Sequence, residues 1–293
     1  VYYIRARFTG RFGKLLAGFF SVAIIVALGF MGNMVQSNSI SDVFGTAFGT
    51  PPLVVGMVGA RLAAWIVWGG KGRIAAATEK IVPVMALFYV LGGDVVLALN
   101  ARQIPTAFEQ IFVMALRPQS MLGGAIGVTV QKAVRYGVAR GLFSNEAGMG
   151  STPHAHALAK VQHPCEQGVV AMIGVFIDTF IILTMTTLVI LTTGALGSGE
   201  TGAALAQNAF GLAFGRFGSI FIAICMLFFA FSTILGWYFF GEVNVKYLFG
   251  KKAVKIYSVL VPLFIVAGSL MKVQMVWDLS DLFNGLMVIH NLF

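Results

Sequence analysis

The chain has 293 residues, of which 58% are hydrophobic and only 11% are charged, and its formal net charge is +9. Soluble globular domains hold about 45–50% apolar and about 25% charged residues, so this composition excludes a soluble domain and indicates an integral membrane protein. The positive charge then indicates basic loops on the cytoplasmic side of a membrane, and no nucleic-acid partner is expected.

Apolar runs of roughly 20 residues, the length that about 30 Å of hydrocarbon requires, predict the membrane-spanning helices. The predicted spans are residues 14–36, 52–69, 82–99, 121–159, 167–193, 218–240, 253–271 and a last span from Val276. Two shorter apolar stretches, 104–115 and 203–214, predict interfacial helices. The chain begins with Val1 rather than Met and ends within an apolar run, so we expect it to be part of a longer protein.

Basic residues lie mainly in alternate loops, which predicts the orientation of the chain. Lysines and arginines precede the first predicted span and follow the second, fourth and sixth, whereas the loops after the first and fifth carry none. The N-terminal end of this chain is therefore predicted to be cytoplasmic. The alternation stays in phase only if residues 141–156 form one crossing, which favours a single discontinuous helix there.

The fourth predicted span is interrupted by polar residues and glycines. Ser144, Asn145 and Glu146 are followed by Gly148 and Gly150. Glycine permits unwound backbone, and unwound backbone at membrane depth is tolerated only where it lines a cavity or is buried in protein. Freed carbonyls there could coordinate Na⁺, and a half-helix N-terminus could hold a carboxylate. The alternative is a cytoplasmic loop followed by a capped helix.

Three further groups of polar residues lie within predicted spans. Ser232 and Thr233 could ligate a hard cation through their hydroxyls, or could bond a carbonyl one turn earlier. Asp178 is an intramembrane carboxylate, which predicts a function such as a proton relay or a pair with Arg135 or Arg140.

The third group, at the end of the first span, comprises Asn33, Gln36 and Ser37. These side chains could bond a zwitterion or could bond between helices.

Other classes of function find less support in the sequence. A channel would need acidic rings or filter repeats, and neither is present. A membrane enzyme would have Glu146, Asp178 and His156 as candidates, but their spacing supplies no nucleophile–base pair and no metal cluster. We therefore expect no enzymatic activity, no cofactor and no metal other than Na⁺.

Several motifs together resemble the alanine/glycine:cation symporters, over essentially the whole chain. They are residues 32–38 (GNMVQSN), 141–151 (GLFSNEAGMGS), 174–179 (GVFIDT), 230–237 (AFSTILGW) and 277–285 (WDLSDLFNG), with the pair His156–Ala157. The resemblance implies an all-α fold similar to neurotransmitter:sodium symporters, with two inverted five-helix repeats. The present spans would be core helices three to ten, with helix six discontinuous, in one partial transporter domain covering residues 1–293.

The resemblance also implies roles for individual residues. The substrate-binding residues would be Gln36, Phe143, Ser144, Asn145 and Trp237. The cation would be bound by a carbonyl near Phe229 and by the hydroxyls of Ser232 and Thr233. Residues of gating or structural importance would be Glu146, Gly148, Gly150 and Asp178.

The expected function is symport of alanine or glycine, coupled to Na⁺ or H⁺, by a monomer in the bilayer of the inner (cytoplasmic) membrane. The alternative is a channel-like or other polytopic membrane protein with a substrate that is not an amino acid.

Overall fold

The computed structural model describes residues 1–114 and 126–289, and every regular element in these two ranges is helical. Inside hydrocarbon a helix satisfies its backbone hydrogen bonds within one segment, which is why so apolar a chain folds this way. In chain order the helices are α1 Tyr2–Arg7, α2 Gly10–Phe48, α3 Pro52–Val67, α4 Lys71–Leu99, α5 Ile104–Glu109, α6 Ile126–Asn145, α7 Pro153–His156, α8 Pro164–Thr192, α9 Gly202–Phe214, α10 Arg216–Leu270 and α11 Val273–Ile289.

Four of the described helices, α2, α4, α8 and α10, are long and apolar enough to cross a membrane, while α3 is apolar but shorter. The predicted first and third spans are parts of the longer helices α2 and α4. The predicted sixth and seventh spans both belong to α10, which is interrupted at Gly250, where φ is 79°. The short apolar stretches predicted to be helical are helices α5, which continues as the π-helical segment Gln110–Met114, and α9.

The predicted interruption of the fourth span is confirmed. Helix α6 ends at Asn145, and regular helix resumes only in the single turn α7. The restarted helix is thus shorter than predicted, and its N-cap residue Thr152 makes no capping bond through its side chain. The predicted start of this span, near residue 121, lies outside the described residues.

The chain divides into two compact units, and the first comprises Val1–Ala86, Gly148–Lys160 and the chain from Ile222 onward. Its helices approach one another closely at small residues. A Cβ added at Gly29 would lie 2.5 Å from the Tyr257 hydroxyl, and one added at Gly268 would lie 2.5 Å from the Cα of Met34. The backbone of α2 therefore lies directly against α10.

The second unit comprises Leu87–Ala147 and Val161–Phe221. A Cβ at Gly92 would collide with the ring of Phe221, and a Cβ at Gly93 would collide with the side chain of Met185. Tyr89 and Thr186 share a hydrogen bond of 2.7 Å between their hydroxyls. Glycine contacts and hydroxyl pairs between helices thus hold this unit together as well.

Candidate functional site

The break after α6 begins with a residue in the left-handed region. Glu146 has φ 55°, and Gly148 and Gly150 have φ 85° and 76°. Positive φ is uncommon for a residue other than glycine, and a strained backbone of this kind costs on the order of 1–3 kcal/mol. The surrounding structure must therefore hold Glu146 in place.

Asn145 supplies part of that support. Its side-chain oxygen accepts a hydrogen bond of 3.0 Å from the Ala147 amide, which closes a turn around Glu146. The amide of Glu146 itself donates to the Leu142 carbonyl at 3.0 Å, which completes the last turn of α6. The backbone at the entry into the break is thus fixed by one bond that spans Glu146 and by one bond from its own amide.

Two side-chain pairs connect the end of α6 to α8. Ser144 donates from its hydroxyl to Asp178 Oδ2 at 2.7 Å, and Asn145 donates from Nδ2 to the Thr179 hydroxyl at 3.2 Å. Asp178 and Thr179 lie in a π-helical turn, Ile177–Leu183, within α8. The structure therefore gives Asp178 a hydroxyl partner, which the sequence did not predict.

The predicted cation ligands lie close together in the first unit. The hydroxyls of Ser232 and Thr233 both donate to the Phe229 carbonyl, each at 2.9 Å. Ser232 is buried, with 7% of its surface exposed. This geometry is the back-bonding that the sequence left as an alternative to cation binding, and it places the three predicted ligand oxygens in one cluster.

Trp237 packs on the backbone of α2. A Cβ at Gly32 would lie 2.6 Å from Cε3 and 2.7 Å from Cζ3 of the indole, so only glycine leaves room for the ring. Gln36, which is half-buried, follows Gly32 by four residues and so lies on the same face of α2. Trp237 of α10 therefore packs on the face of α2 that also carries Gln36.

The other polar residues of α2 bond between or within helices. Ser37 donates to the Ile265 carbonyl at 2.7 Å, and Asn38 donates to the carbonyls of Gly268 and Met271 at 2.9 and 2.7 Å. Asn33 donates to a carbonyl one turn earlier in its own helix. Ser37 therefore makes the bond between helices that the sequence left as one of two alternatives, and it braces α2 against α10.

The predicted substrate residues are divided between the two units. Phe143, Ser144 and Asn145 belong to the second unit, together with Glu146 and Asp178. Gln36 and Trp237 belong to the first, together with the predicted cation ligands and with Gly148 and Gly150.

Two cavities in the first unit are lined by other residues. The larger, of about 370 Å³, lies beside His154 and Glu242, and the smaller, of about 230 Å³, lies beside Ser37 and Ile265. Neither of these two cavities is lined by a predicted site residue.

A buried histidine follows the break and was not predicted to matter. His154 donates from Nδ1 to the Ser151 carbonyl at 2.7 Å, and Asn244 Nδ2 donates to His154 Nε2 at 3.0 Å. A carbonyl can only accept and an amide nitrogen can only donate, so the imidazole is neutral with its proton on Nδ1. Tyr3 anchors the same segment by donating to the Gly150 carbonyl at 3.1 Å.

The sequence did not predict the roles of Thr179 and Asn244, for different reasons. Thr179 directly follows Asp178 in an apolar span, so a signal for it was present. Asn244 lies beyond the end of the predicted sixth span, and nothing local marked it as buried.

Long apolar helices, together with an interrupted helix that carries polar side chains, define a multi-pass membrane protein. The model of the sodium:alanine symporter family matches residues 1–293, and the chain belongs to this family. The family and the relatives described next are symporters and carriers rather than enzymes.

Three relatives are each 40% identical to this chain. The sodium/alanine symporter AgcS of Methanococcus maripaludis matches over 96% of this chain and 62% of its own length. The amino-acid carrier protein AlsT of Bacillus subtilis matches over 99% of this chain and 61% of its own length. The probable sodium/glutamine symporter GlnT of Bacillus subtilis matches over 95% and 58%. The chain spans about three fifths of the length of these relatives.

Proposed function

We propose that the full-length protein carries alanine or glycine across the cytoplasmic membrane together with Na⁺. The observation that carries the proposal is the cluster of three oxygens at Phe229, Ser232 and Thr233 within the apolar helix α10. Membership of the sodium:alanine symporter family and the name of the relative AgcS support the ion and the substrate.

Sodium is a hard cation that prefers oxygen ligands. The hydroxyls of Ser232 and Thr233 keep lone pairs while they donate to the Phe229 carbonyl, so they can face a bound cation. Further ligands would come from the part of the protein that this chain does not contain. A cation bound there would favour the substrate-competent state, which is coupling by differential affinity.

The proposed substrate-binding residues are the five predicted from the sequence, Gln36, Phe143, Ser144, Asn145 and Trp237. Trp237 is held against Gly32, so the ring cannot withdraw toward α2. A fixed indole limits the volume that a substrate side chain can occupy, which suits alanine and glycine. Glu146, Gly148 and Gly150 would serve as the gating part of the break.

The proposal includes an architecture and a location. Residues 1–293 would form part of one transporter domain with two inverted five-helix repeats, in which the predicted spans are core helices three to ten. The protein would act as a monomer, and the N-terminal end of this chain would face the cytoplasm. The alternation of loops rich in lysine and arginine with loops that carry few or none supports this orientation.

Uptake of radiolabelled alanine by the full-length protein in phospholipid vesicles tests the function. We expect saturable uptake that requires an inward Na⁺ gradient. Uptake that is neither saturable nor dependent on Na⁺ would contradict symport, and uptake driven by a proton gradient alone would contradict Na⁺ as the coupling ion.

Matched serine variants test the cation site. Ser232→Ala removes a hydroxyl from the cluster, and Ser21→Ala removes a buried hydroxyl that donates to the Ala17 carbonyl at 2.8 Å. Hydrogen bonds to charged groups contribute about 1.5–3 kcal/mol, so losing a comparable ion–hydroxyl contact should raise the half-saturating Na⁺ concentration about tenfold or more. Ser21→Ala should leave it unchanged. If the two substitutions changed the half-saturating Na⁺ concentration equally, Ser232 would not be a cation ligand and its hydroxyl would only bond to its own helix.

A further inference from the structure

We propose that Asp178 and Thr179 are positioning residues, which hold the entry of the break in its binding geometry through Ser144 and Asn145. The inference rests on the proposed function, because Ser144 and Asn145 are the residues proposed to contact the substrate. The four residues form two side-chain pairs, 144/178 and 145/179, which we refer to as the double clasp.

The double clasp joins consecutive residues of one helix to consecutive residues of another. In an α-helix neighbouring side chains point about 100° apart, so two such bonds between the same two helices are not expected. Here Asp178 and Thr179 lie in the π-helical turn Ile177–Leu183, where each residue turns the chain through a smaller angle. Ser144 and Asn145 are the last two residues of α6. The wide turn and the helix end allow both bonds to form at once.

The bonds of the double clasp reach the unwound backbone. Asn145 uses its amide nitrogen for Thr179 at 3.2 Å and its side-chain oxygen for the Ala147 amide at 3.0 Å. The same side chain therefore fixes the residue on either side of Glu146, whose φ of 55° needs support. Helix α8 thus orients the first turn of the break from outside it.

The chemistry of Asp178 and Thr179 suits a positioning role rather than direct contact with the substrate. Asp178 accepts a hydrogen bond of 2.7 Å from the Ser144 hydroxyl, a length typical of a well-formed bond between oxygens, which fixes the direction of that hydroxyl. Thr179 supplies a hydroxyl that accepts from the Asn145 amide, which fixes which way that amide points. Both residues are half-buried on α8. A site held in this way loses little conformational freedom when its ligand binds.

The transport test compares variants of the full-length protein in vesicles. Asp178→Leu and Thr179→Val each remove one acceptor, and each should raise the KM for alanine about tenfold, which corresponds to about 1.4 kcal/mol of binding. The maximal rate should change much less, since binding geometry is what these residues set. Asp178→Asn and Thr179→Ser keep an acceptor oxygen and should restore a KM near that of the unchanged protein.

A matched control lies in the same helix. Thr187 is exposed, and its hydroxyl donates to the Leu183 carbonyl of the same helix, α8, at 2.8 Å. Thr187→Val therefore removes a hydrogen bond within α8. Thr187→Val should leave the KM for alanine unchanged.

An Asp178→Asn variant as impaired as Asp178→Leu would overturn positioning by a hydrogen bond, because charge alone would then matter.

Backbone amide exchange separates this inference from the proposed function, because it needs no substrate. Deuterium uptake of peptides covering residues 144–150 should be at least about tenfold faster in Thr179→Val than in the unchanged protein, for a lost restraint of about 1.4 kcal/mol. Peptides from α3 should exchange at an unchanged rate. Unchanged exchange at the break would overturn the inference. Absence of alanine uptake by the unchanged protein would refute the proposed function and leave the exchange result to decide the positioning role.

Discussion

Gly32→Ala tests whether the packing of the Trp237 ring against Gly32 of α2 matters for transport. The added Cβ would lie 2.6 and 2.7 Å from two indole carbons, whereas carbon atoms in contact prefer about 3.5–4.0 Å. The indole would have to move by about 1 Å, and overpacking of this kind costs about 1–3 kcal/mol. Trp237 is only 4% exposed, so it has little free space into which to move.

The assays are thermal unfolding of the purified full-length protein and alanine uptake in vesicles. We expect Gly32→Ala to lower the unfolding temperature by several degrees and to raise the KM, because a displacement of about 1 Å near a binding site can reduce activity up to about 100-fold. Gly18→Ala is the control, since a Cβ at Gly18 in the same helix meets no atom within 4 Å. That substitution should be neutral or slightly stabilising.

A double-mutant cycle isolates the contact. Trp237→Phe removes the ring carbons that the new Cβ would meet, so Gly32→Ala should cost much less in the Trp237→Phe background. A cost that is equal in both backgrounds would refute the steric argument. So would a Gly32→Ala protein that unfolds and transports like Gly18→Ala.

Two further predictions concern buried polar contacts, and both are measured as unfolding temperatures. Asn38→Leu removes donors to the Gly268 and Met271 carbonyls and should cost about 1–3 kcal/mol; Asn38→Asp should cost more, because a carboxylate would face those carbonyls, and the reverse order would contradict this account. His154→Phe removes the acceptor of Asn244 and should cost about 1–3 kcal/mol, and Asn244→Leu should then cost less than it does alone. Strictly additive effects would show that the two side chains do not interact.

Local properties of the sequence predicted most of the helices and the interruption. Span length and hydropathy are sums over neighbouring residues, and so α2, α4, α8 and α10 were all anticipated as apolar segments. The break was predicted from Gly148 and Gly150, since glycine lowers helix propensity whatever its surroundings. Boundaries were less accurate, because the extension of a helix such as α2 through Phe48 depends on the packing of its polar end.

Tertiary structure alone decided which polar side chains bond to another helix. Asparagine and serine can bond to a ligand, to their own helix or to another helix, and the sequence offered no way to choose for Ser37 or Ser232. Packing of α2 against α10 assigned Ser37 to the Ile265 carbonyl, and the π-helical turn of α8 brought Asp178 to Ser144. Periodicity predicts the face on which a side chain lies, but residues far apart in the chain meet only where helices pack, and that is determined by the whole fold.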